Sequence, residues 1–223
     1  MNLFETRTET NTLLNKGTET EGQGYMLLKR ILDIGLSVVG ILLLSPLLLL
    51  VALAIKIEDP RGSVLFRQTR IGKYGKPFGM LKFRSMVNGA ETMLDELLPH
   101  NEVDGAMFKM KRDPRVTRVG RWIRKVSVDE FPQFWNVLRG EMSLVGPRPP
   151  LPREVKNYTP YEMLRLSVTP GCTGLWQISG RNELSFHEMV ELDLKYITKR
   201  NLRLDIKILW QTCVMLLLAK NGF

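Results

Sequence analysis

The stretch that decides the fold runs from Ile34 to Ile55 and reads IGLSVVGILLLSPLLLLVALAI. Its 22 residues carry no charge, and a straight helix rising about 1.5 Å per residue would just cross a hydrocarbon core of roughly 30 Å. Positive charge at both ends favours keeping both ends in the cytoplasm. We therefore predict a membrane segment that enters and leaves on one face, with a kinked bitopic span as the alternative. The flanking basic residues are Lys29 and Arg30 before the run, and Lys56, Arg61, Arg67, Arg70, Lys73 and Lys76 after it.

Ser45 and Pro46 lie near the middle of this run. An internal proline removes one backbone hydrogen bond and clashes with the preceding turn, at a cost of about 3 kcal/mol, so we predict a helix–break–helix there. Each arm would then reach only about the bilayer midplane. The Ser45 hydroxyl is the nearest partner for a carbonyl freed at the break. A secretory signal peptide is excluded, because the run is long, begins far from the N-terminus and is not followed by a small-residue cleavage site.

Composition divides the 223 residues into three parts. Residues 1–24 are polar and predict a flexible tail, residues 25–58 form the membrane anchor, and residues 59–223 suffice for one domain with a core. A net charge of +9 and a pI near 9.7 indicate an anionic partner. The two cysteines, Cys172 and Cys213, have neither the number nor the spacing of a disulfide framework or a zinc site.

Two short strands follow the anchor. Residues 64–66 and, apart from Lys82, residues 78–83 are apolar or glycine, and they flank the turn-forming sequence GKYGKP over residues 72–77. This pattern predicts a β-hairpin. A phosphate-binding loop is the alternative suggested by the glycines and lysines, but the required Gly-Lys-Ser/Thr is missing.

Arginine recurs at every third position from Arg112 to Arg124. On a helix, this spacing would keep several guanidinium groups near one face, where phosphates or lipid headgroups would relieve their repulsion. A solvated helix face is the alternative. The chain carries no recognised zinc-finger or RNA-recognition motif, so we predict lipid and phosphorylated small molecules as partners and no nucleic acid.

Adjacent carboxylates, Asp129 and Glu130, come directly after the arginines. Ser127 and Glu130 have the spacing of a capping box, which is the structural alternative. Pro132 would then lie inside the helix, so the helix more comfortably starts at Pro132 with both acids just ahead of it. Either arrangement places two acids near a helix N-terminus, where the chemistry is to be sought.

A long ordered series of motifs resembles the bacterial sugar transferase family, the monotopic polyprenyl-phosphate hexose-1-phosphate transferases of capsule, exopolysaccharide and O-antigen pathways. The resemblance extends from Lys29 to about Leu218. The motifs are KRILD (29–33), SP (45–46), KFRSM (82–86), DPRVT (113–117), IRK (123–125), DEFPQ (129–133), GPRP (146–149) and TPGCTGLWQISGR (169–181).

The resemblance implies a two-step transfer of sugar-1-phosphate from a UDP-sugar to undecaprenyl phosphate. Asp129 would attack phosphorus as the nucleophile, releasing UMP and leaving a phosphosugar-aspartyl intermediate, and Glu130 would act as acid/base partner. Mg²⁺ is the implied cofactor, bridging Asp129 and phosphate oxygens. The implied location is the cytoplasmic face of the bacterial inner membrane. Residues 59–223 would form the catalytic domain at that face.

Further roles are carried over from the matching motifs. Lys82, Arg124 and Arg148 are expected to bind phosphate or carboxylate, and Pro147 and Pro149 to stiffen the backbone around Arg148. Among the anchoring residues Lys29, Arg30 and Asp33, the last two are expected to form an i,i+3 salt bridge, with simple snorkelling as the alternative.

The predicted fold is α+β, mostly helical with a small hairpin, on a re-entrant membrane segment with interfacial amphipathic helices. Residues 202–218 fit either an interfacial helix or a core helix. The family resemblance leans toward glucose or galactose as the sugar. Two non-catalytic alternatives remain: a protein that recruits partners to anionic membrane, and an assembly subunit of a polysaccharide machine.

Overall fold

The computed structural model of the protein describes residues 22–101, 110, 112–180 and 184–218. The helices are α1 Gln23–Glu58, α2 Leu94–Leu97, α3 Arg118–Lys125, α4 Gln133–Arg139, α5 Pro152–Val155, α6 Pro160–Met163, α7 Leu175–Ile178, α8 Phe186–Lys199 and α9 Leu202–Leu218. The strands are β1 Leu65–Ile71, β2 Pro77–Phe83, β3 Ser143–Val145 and β4 Gly171–Thr173. This confirms the mostly helical fold with a small hairpin. The predicted tail over residues 1–24 lies outside the described residues, apart from residues 22–24.

Helix α1 is a single helix of 36 residues, so the break predicted at Ser45 and Pro46 is wrong as an interruption of the helix. Pro46 has no N–H for the Leu42 carbonyl four residues earlier. Ser45 Oγ donates to that same carbonyl at 2.8 Å, which confirms the predicted role of the hydroxyl and lets the helix continue. Among the described helices, α1 is long and apolar enough to cross a membrane.

One stripe of α1 packs against the rest of the protein along both of its halves. Asp33 and Ser37 are buried in the first half, and Val51 and Ile55 in the second. The opposite face stays apolar and exposed, with Leu43 74% accessible. A helix whose central 22 residues are uncharged, with one face exposed and apolar and the other packed against the protein in both halves, fits a domain lying on a lipid surface.

The predicted hairpin is confirmed. Strands β1 and β2 pair antiparallel from Leu65 opposite Phe83 to Ile71 opposite Pro77. They are joined by a 3₁₀ turn over Lys73–Gly75, in which Tyr74 and Gly75 have φ of 57° and 75°. The sequence analysis did not predict the second pair, β3 with β4, which is parallel.

Two apolar clusters hold these elements together. The larger one gathers β2, α4, β3, α8 and α9 around side chains such as Met80, Val145 and Ile208. The smaller one joins the second half of α1 to Phe83, Ile123 and Val128. Helix α9 packs into the larger cluster, because Ile208 is fully buried, whereas Trp210 is 70% exposed; the interfacial placement of α9 stays a prediction.

Candidate active site

Both predicted catalytic carboxylates lie on a 3₁₀ turn, Val128–Glu130, between α3 and α4. Ser127 precedes the turn with φ of 56°, a left-handed conformation that few non-glycine residues adopt and that is often found at functional sites. The side chain of Val128 anchors the turn by packing in the cluster with Val51 and Ile55 of α1. The turn therefore presents Asp129 and Glu130 from a packed base.

Helix α4 begins at Gln133, one residue after Pro132, which confirms the predicted helix start to within a residue. The alternative capping box is not formed. Ser127 makes no side-chain capping bond at this turn, and the Glu130 carboxylate is bound to Lys82 instead. The acids are therefore not used to cap a helix.

Asp129 is a buried carboxylate with only 8% of its surface accessible. Burial raises the pKa of Asp129 to about 6, the neighbouring charge of Glu130 adds to the rise, and Lys82 and Arg124 partly offset it. The group is thus mostly ionised at neutral pH while being poorly hydrated. A desolvated carboxylate beside cations is suited to attack phosphorus.

Glu130 and Lys82 form a close ion pair, with Lys82 Nζ 2.6 Å from Glu130 Oε1. Lys82 reaches Glu130 from β2, so the hairpin meets the carboxylate turn, Val128–Glu130, at this contact. Burial opposes ionisation of Glu130, but Lys82, Arg148 and Arg70 outweigh it and hold the pKa of Glu130 below its usual range. Glu130 is therefore ionised at neutral pH.

Arg148 stands in a loop held by backbone contacts. Gly146 N donates to the Thr173 carbonyl at 2.9 Å, and Gly171 N donates to the Pro147 carbonyl at 2.8 Å. A methyl group at Gly171 would lie 2.1 Å from Gly146 N, so this close approach needs glycine. Pro147 and Pro149 are buried in the loop, where they can stiffen the backbone around Arg148 as predicted.

Glu154, at the end of α5, lies behind Arg148 and is 3% accessible. Its Oε2 accepts from Arg148 Nη1 at 3.3 Å and from the Leu151 backbone N–H at 2.9 Å. This pair orients the guanidinium while leaving most of its donors for a ligand.

Arg70 is the site residue that the sequence analysis missed. It is 7% accessible on β1, donates from Nη1 to the Pro149 carbonyl at 2.9 Å, and donates from Nη2 to Gln68 Oε1 at 2.7 Å. Burial and Arg148 lower the pKa of Arg70 to about 9, against the pull of Glu154 and Glu130. The available signal was the pair Gln68 and Arg70, two polar residues on the same face of a strand.

Arg124 lies in the last turn of α3, half-buried and close enough to influence the pKa of Asp129. The arginines do not form one helical row, because α3 starts at Arg118. Arg115 precedes it and is buried in an ion pair with Asp113 at 2.6 Å. One member of the predicted row therefore reaches the carboxylate turn, and another is structural.

The predicted salt bridge between Arg30 and Asp33 is wrong, because each has a different partner. Arg30 donates to the carbonyls of Val137 and Leu138, at 2.6 and 2.9 Å, and so satisfies the C-terminal end of α4. Asp33 accepts from the Leu144 N–H of β3 at 3.0 Å. Lys29 pairs with the buried Asp205 of α9 at 3.0 Å. These residues join the anchor to the domain rather than snorkel.

Asp129 and its neighbouring carboxylates decide whether the predicted Mg²⁺ could be held here. Within the described ranges, no three His, Cys, Asp or Glu side chains come close enough to hold a metal ion by themselves. Mg²⁺ commonly takes one or two carboxylates and completes its shell with water and substrate phosphate. Asp129 fits such a partial site, and Glu130 is already engaged by Lys82.

The fold and the site define a class: a protein with a helix of membrane-spanning length whose buried carboxylate sits among cations suited to phosphorylated substrates. The family model described as "Bacterial sugar transferase" matches residues 24–219, so the chain belongs to this family, whose members are membrane-associated. The roles of the individual site residues stay predictions.

Relatives in several bacteria are similar over most of this chain. It is 45% identical to the galactosyl transferase CpsE of Streptococcus agalactiae over 89% of its length, but spans 44% of that relative. It is 43% identical to the UDP-glucose:undecaprenyl-phosphate glucose-1-phosphate transferase of Escherichia coli, covering 83% of this chain and 39% of the relative. With the exopolysaccharide production protein ExoY of Rhizobium meliloti it shares 41% identity, covering 87% of this chain and 88% of ExoY. The chain thus spans less than half of the first two relatives and most of the third.

Proposed function

We propose that the protein transfers a sugar-1-phosphate from UDP-glucose or UDP-galactose to undecaprenyl phosphate, giving undecaprenyl diphosphate-sugar and UMP in capsule or exopolysaccharide synthesis. The observation that carries the proposal is the buried Asp129 carboxylate beside Lys82 and Arg124, with Arg148 near the adjacent Glu130. The names of the relatives, which specify galactose or glucose and undecaprenyl phosphate, support the choice of substrates.

In the proposed first step, an Asp129 carboxylate oxygen attacks the phosphorus that carries the sugar. A new phosphorus–oxygen bond to Asp129 forms, the bond to the UMP oxygen breaks, and UMP leaves with the electron pair. An anionic nucleophile approaching an anionic diphosphate needs nearby positive charge. Lys82 and Arg148 would provide it, with Arg70 holding the loop that bears Arg148.

In the second step, a phosphate oxygen of undecaprenyl phosphate attacks the same phosphorus and releases the Asp129 carboxylate. Glu130 would accept a proton from the incoming phosphate, since its lowered pKa keeps it in the ionised, accepting form at neutral pH. Bound Mg²⁺ would supply neutralising charge at the diphosphate oxygens, with Asp129 as its protein ligand.

The membrane arrangement that we propose keeps both ends of the unbroken helix α1 at the cytoplasmic face of the inner membrane, and is re-entrant in the sense that the helix enters and leaves the lipid on that one face. Contacts to the same domain exist at both ends of α1: Arg30 binds α4 near the start, and Glu58 accepts from the Arg118 and Val119 N–H groups of α3 at the end. A bitopic helix would carry one of these contacts to the far side of the bilayer. The contacts therefore favour both ends of α1 on the same side of the bilayer. The basic residues at both ends favour the cytoplasmic side.

The test is UMP release from a panel of UDP-sugars by the purified chain in detergent, with Mg²⁺ and undecaprenyl phosphate. Asp129→Asn keeps the shape and should lower the rate by about 10³-fold or more. Asp95→Asn, on the exposed face of α2, is the matched control and should keep the full rate. Lipid-dependent UMP from one donor also identifies the sugar. A near-normal rate for Asp129→Asn would exclude the covalent mechanism, and silence across the panel would favour a non-catalytic assembly role.

A further inference from the structure

A cavity of about 130 Å³ lies beside the first turns of α1, away from the catalytic carboxylates. Its wall includes Lys29, Arg30 and Asp33 of α1, Lys73 of the hairpin turn, and Arg200 after α8. A single buried water needs roughly 10–15 Å³ by a comparable measure, so the space is large enough for a polar group of several atoms. None of Asp129, Glu130, Lys82, Arg124 and Arg148 lines it.

The cavity has an excess of positive charge. Four basic side chains face it, against one carboxylate in the wall and the neighbouring Asp205 that binds Lys29. Lys29 and Arg30 keep donors after their contacts to Asp205 and to the α4 carbonyls, because an ammonium has three N–H groups and a guanidinium five. Lys73 Nζ lies 4.8 Å from the Tyr74 ring centroid, in a contact that does not neutralise it. Basic side chains in the wall therefore outnumber carboxylates, which favours an anionic ligand.

Apolar side chains stand next to this charged cavity on α1. Leu27, Leu28 and Ile31 alternate with the cavity-lining residues along the helix and are more than half exposed. A phosphate in the cavity could therefore carry acyl or prenyl chains along the outer face of the helix.

We infer that this cavity is a second anion site, which binds the phosphate of a phosphomonoester, and that the adjoining apolar face favours a lipid as its source. The phosphate chemistry is independent of the transferase activity, whereas the lipid source rests on the membrane placement proposed above. Lys73 belongs to the turn between β1 and β2, the strands that carry Arg70 and Lys82. Arg30 binds the end of α4, the helix that follows the carboxylate turn. An occupied site would therefore connect the elements that carry these residues.

The test is a phosphorus NMR titration of the purified full chain in detergent, without UDP-sugar, with dioctanoyl phosphatidic acid or inorganic phosphate as probe. Lys73→Gln should weaken binding of phosphatidic acid about tenfold, since it removes one charge-assisted contact. Lys73→Arg should retain it. Lys76→Gln, an exposed lysine of the same hairpin turn outside the cavity, is the matched control and should bind as the natural protein does.

The outcomes separate the sources and the activities. Binding of inorganic phosphate with the same variant pattern and equal affinity would support the anion site and assign it a soluble ligand. Absence of binding by both probes, or equal weakening in Lys73→Gln and Lys76→Gln, would overturn the inference. Asp129→Asn should bind phosphatidic acid normally, so failure of the proposed catalysis leaves this measurement unaffected.

Discussion

At the scale of single residues, the site depends on how burial and charge oppose each other at Asp129. Burial raises the pKa of Asp129 and so opposes its ionisation, and the neighbouring cations limit the rise. Burial and nearby cations also oppose each other at Glu130, but there the cations prevail and the pKa is lowered. Two adjacent carboxylates thus obtain different chemistry from different neighbours.

The first residue-scale prediction is a pH profile. Asp129 must be ionised to attack, and its pKa is raised to about 6, so kcat/KM should fall about tenfold per pH unit below that value and level off above it. Initial rates of UMP release between pH 5 and 8 measure this. Lys82→Met removes a cation that lowers the pKa of Asp129, and should move the inflection to higher pH. An inflection that stays in place in Lys82→Met would contradict the assignment to Asp129.

The second residue-scale prediction concerns Arg70 as a positioning residue. Arg70→Lys keeps a charge but cannot bind Gln68 and the Pro149 carbonyl together. The loop bearing Arg148 should loosen, and kcat should fall by about 10–100-fold with a smaller change in KM. Arg67→Lys, on the exposed face of the same strand, is the control. Equal kinetics for the two variants would remove Arg70 from the site.

At the scale of elements, α1 shows how a proline is accommodated inside a helix. The carbonyl that Pro46 leaves free is the one that Ser45 satisfies. Ser45→Ala should therefore lower the free energy of unfolding by about 1 kcal/mol. In a Pro46→Ala background, the new N–H can bind the Leu42 carbonyl, and Ser45→Ala should cost almost nothing. Thermal midpoints of the four proteins in detergent give this cycle, and additive effects would contradict the account.

A second element-scale prediction concerns the contact between α1 and α4. Arg30→Met leaves the Val137 and Leu138 carbonyls without their charged donor, at a cost of about 1–3 kcal/mol. For a chain of this size, the unfolding midpoint should fall by about 2–4 °C per kcal/mol. Arg61→Met, at an exposed position after α1, should leave the midpoint unchanged. A fall of equal size in both would indicate a general effect of lost charge.

Sequence patterns predicted the elements that rest on local signals. The hairpin, the start of α4 near Pro132 and the Ser45 hydrogen bond all follow from turn chemistry or proline chemistry within a few residues. Arg70, the β3–β4 pair and the partners of Arg30 and Asp33 were missed, because they depend on contacts between segments distant in sequence. The i,i+3 rule for Arg30 and Asp33 failed because backbone groups of α4 and β3 offered partners that spacing alone does not reveal.

At the scale of the whole molecule, the anchor and the domain form one packed unit. Contacts run from Lys29 with Asp205 near the start of α1 to Glu58 with the N-terminus of α3 at its end. The anchor is therefore a structural part of the catalytic domain and not a tether. The domain boundary drawn at residue 58 separates segments that share a core.

The corresponding prediction concerns topology. In a chain with Cys172→Ser and Cys213→Ser, single cysteines at Gly22→Cys and Arg61→Cys flank α1 at exposed positions. Both should react with a membrane-impermeant maleimide in inside-out vesicles, and neither in intact spheroplasts. Leu42→Cys, on the bare apolar face, should stay unlabelled in both preparations. Labelling of the two flanking sites from opposite sides would establish a bitopic span.

The packing of Val128 against Val51 and Ile55 has a mechanical consequence. The base beneath the proposed nucleophile is made of side chains from the same helix that we propose to lie in the lipid. If the bilayer bends this helix, the base should shift and, with it, the angle at which Asp129 would approach phosphorus. Under the proposed function, activity should therefore depend on membrane thickness, which acyl-chain length adjusts without any change in sequence.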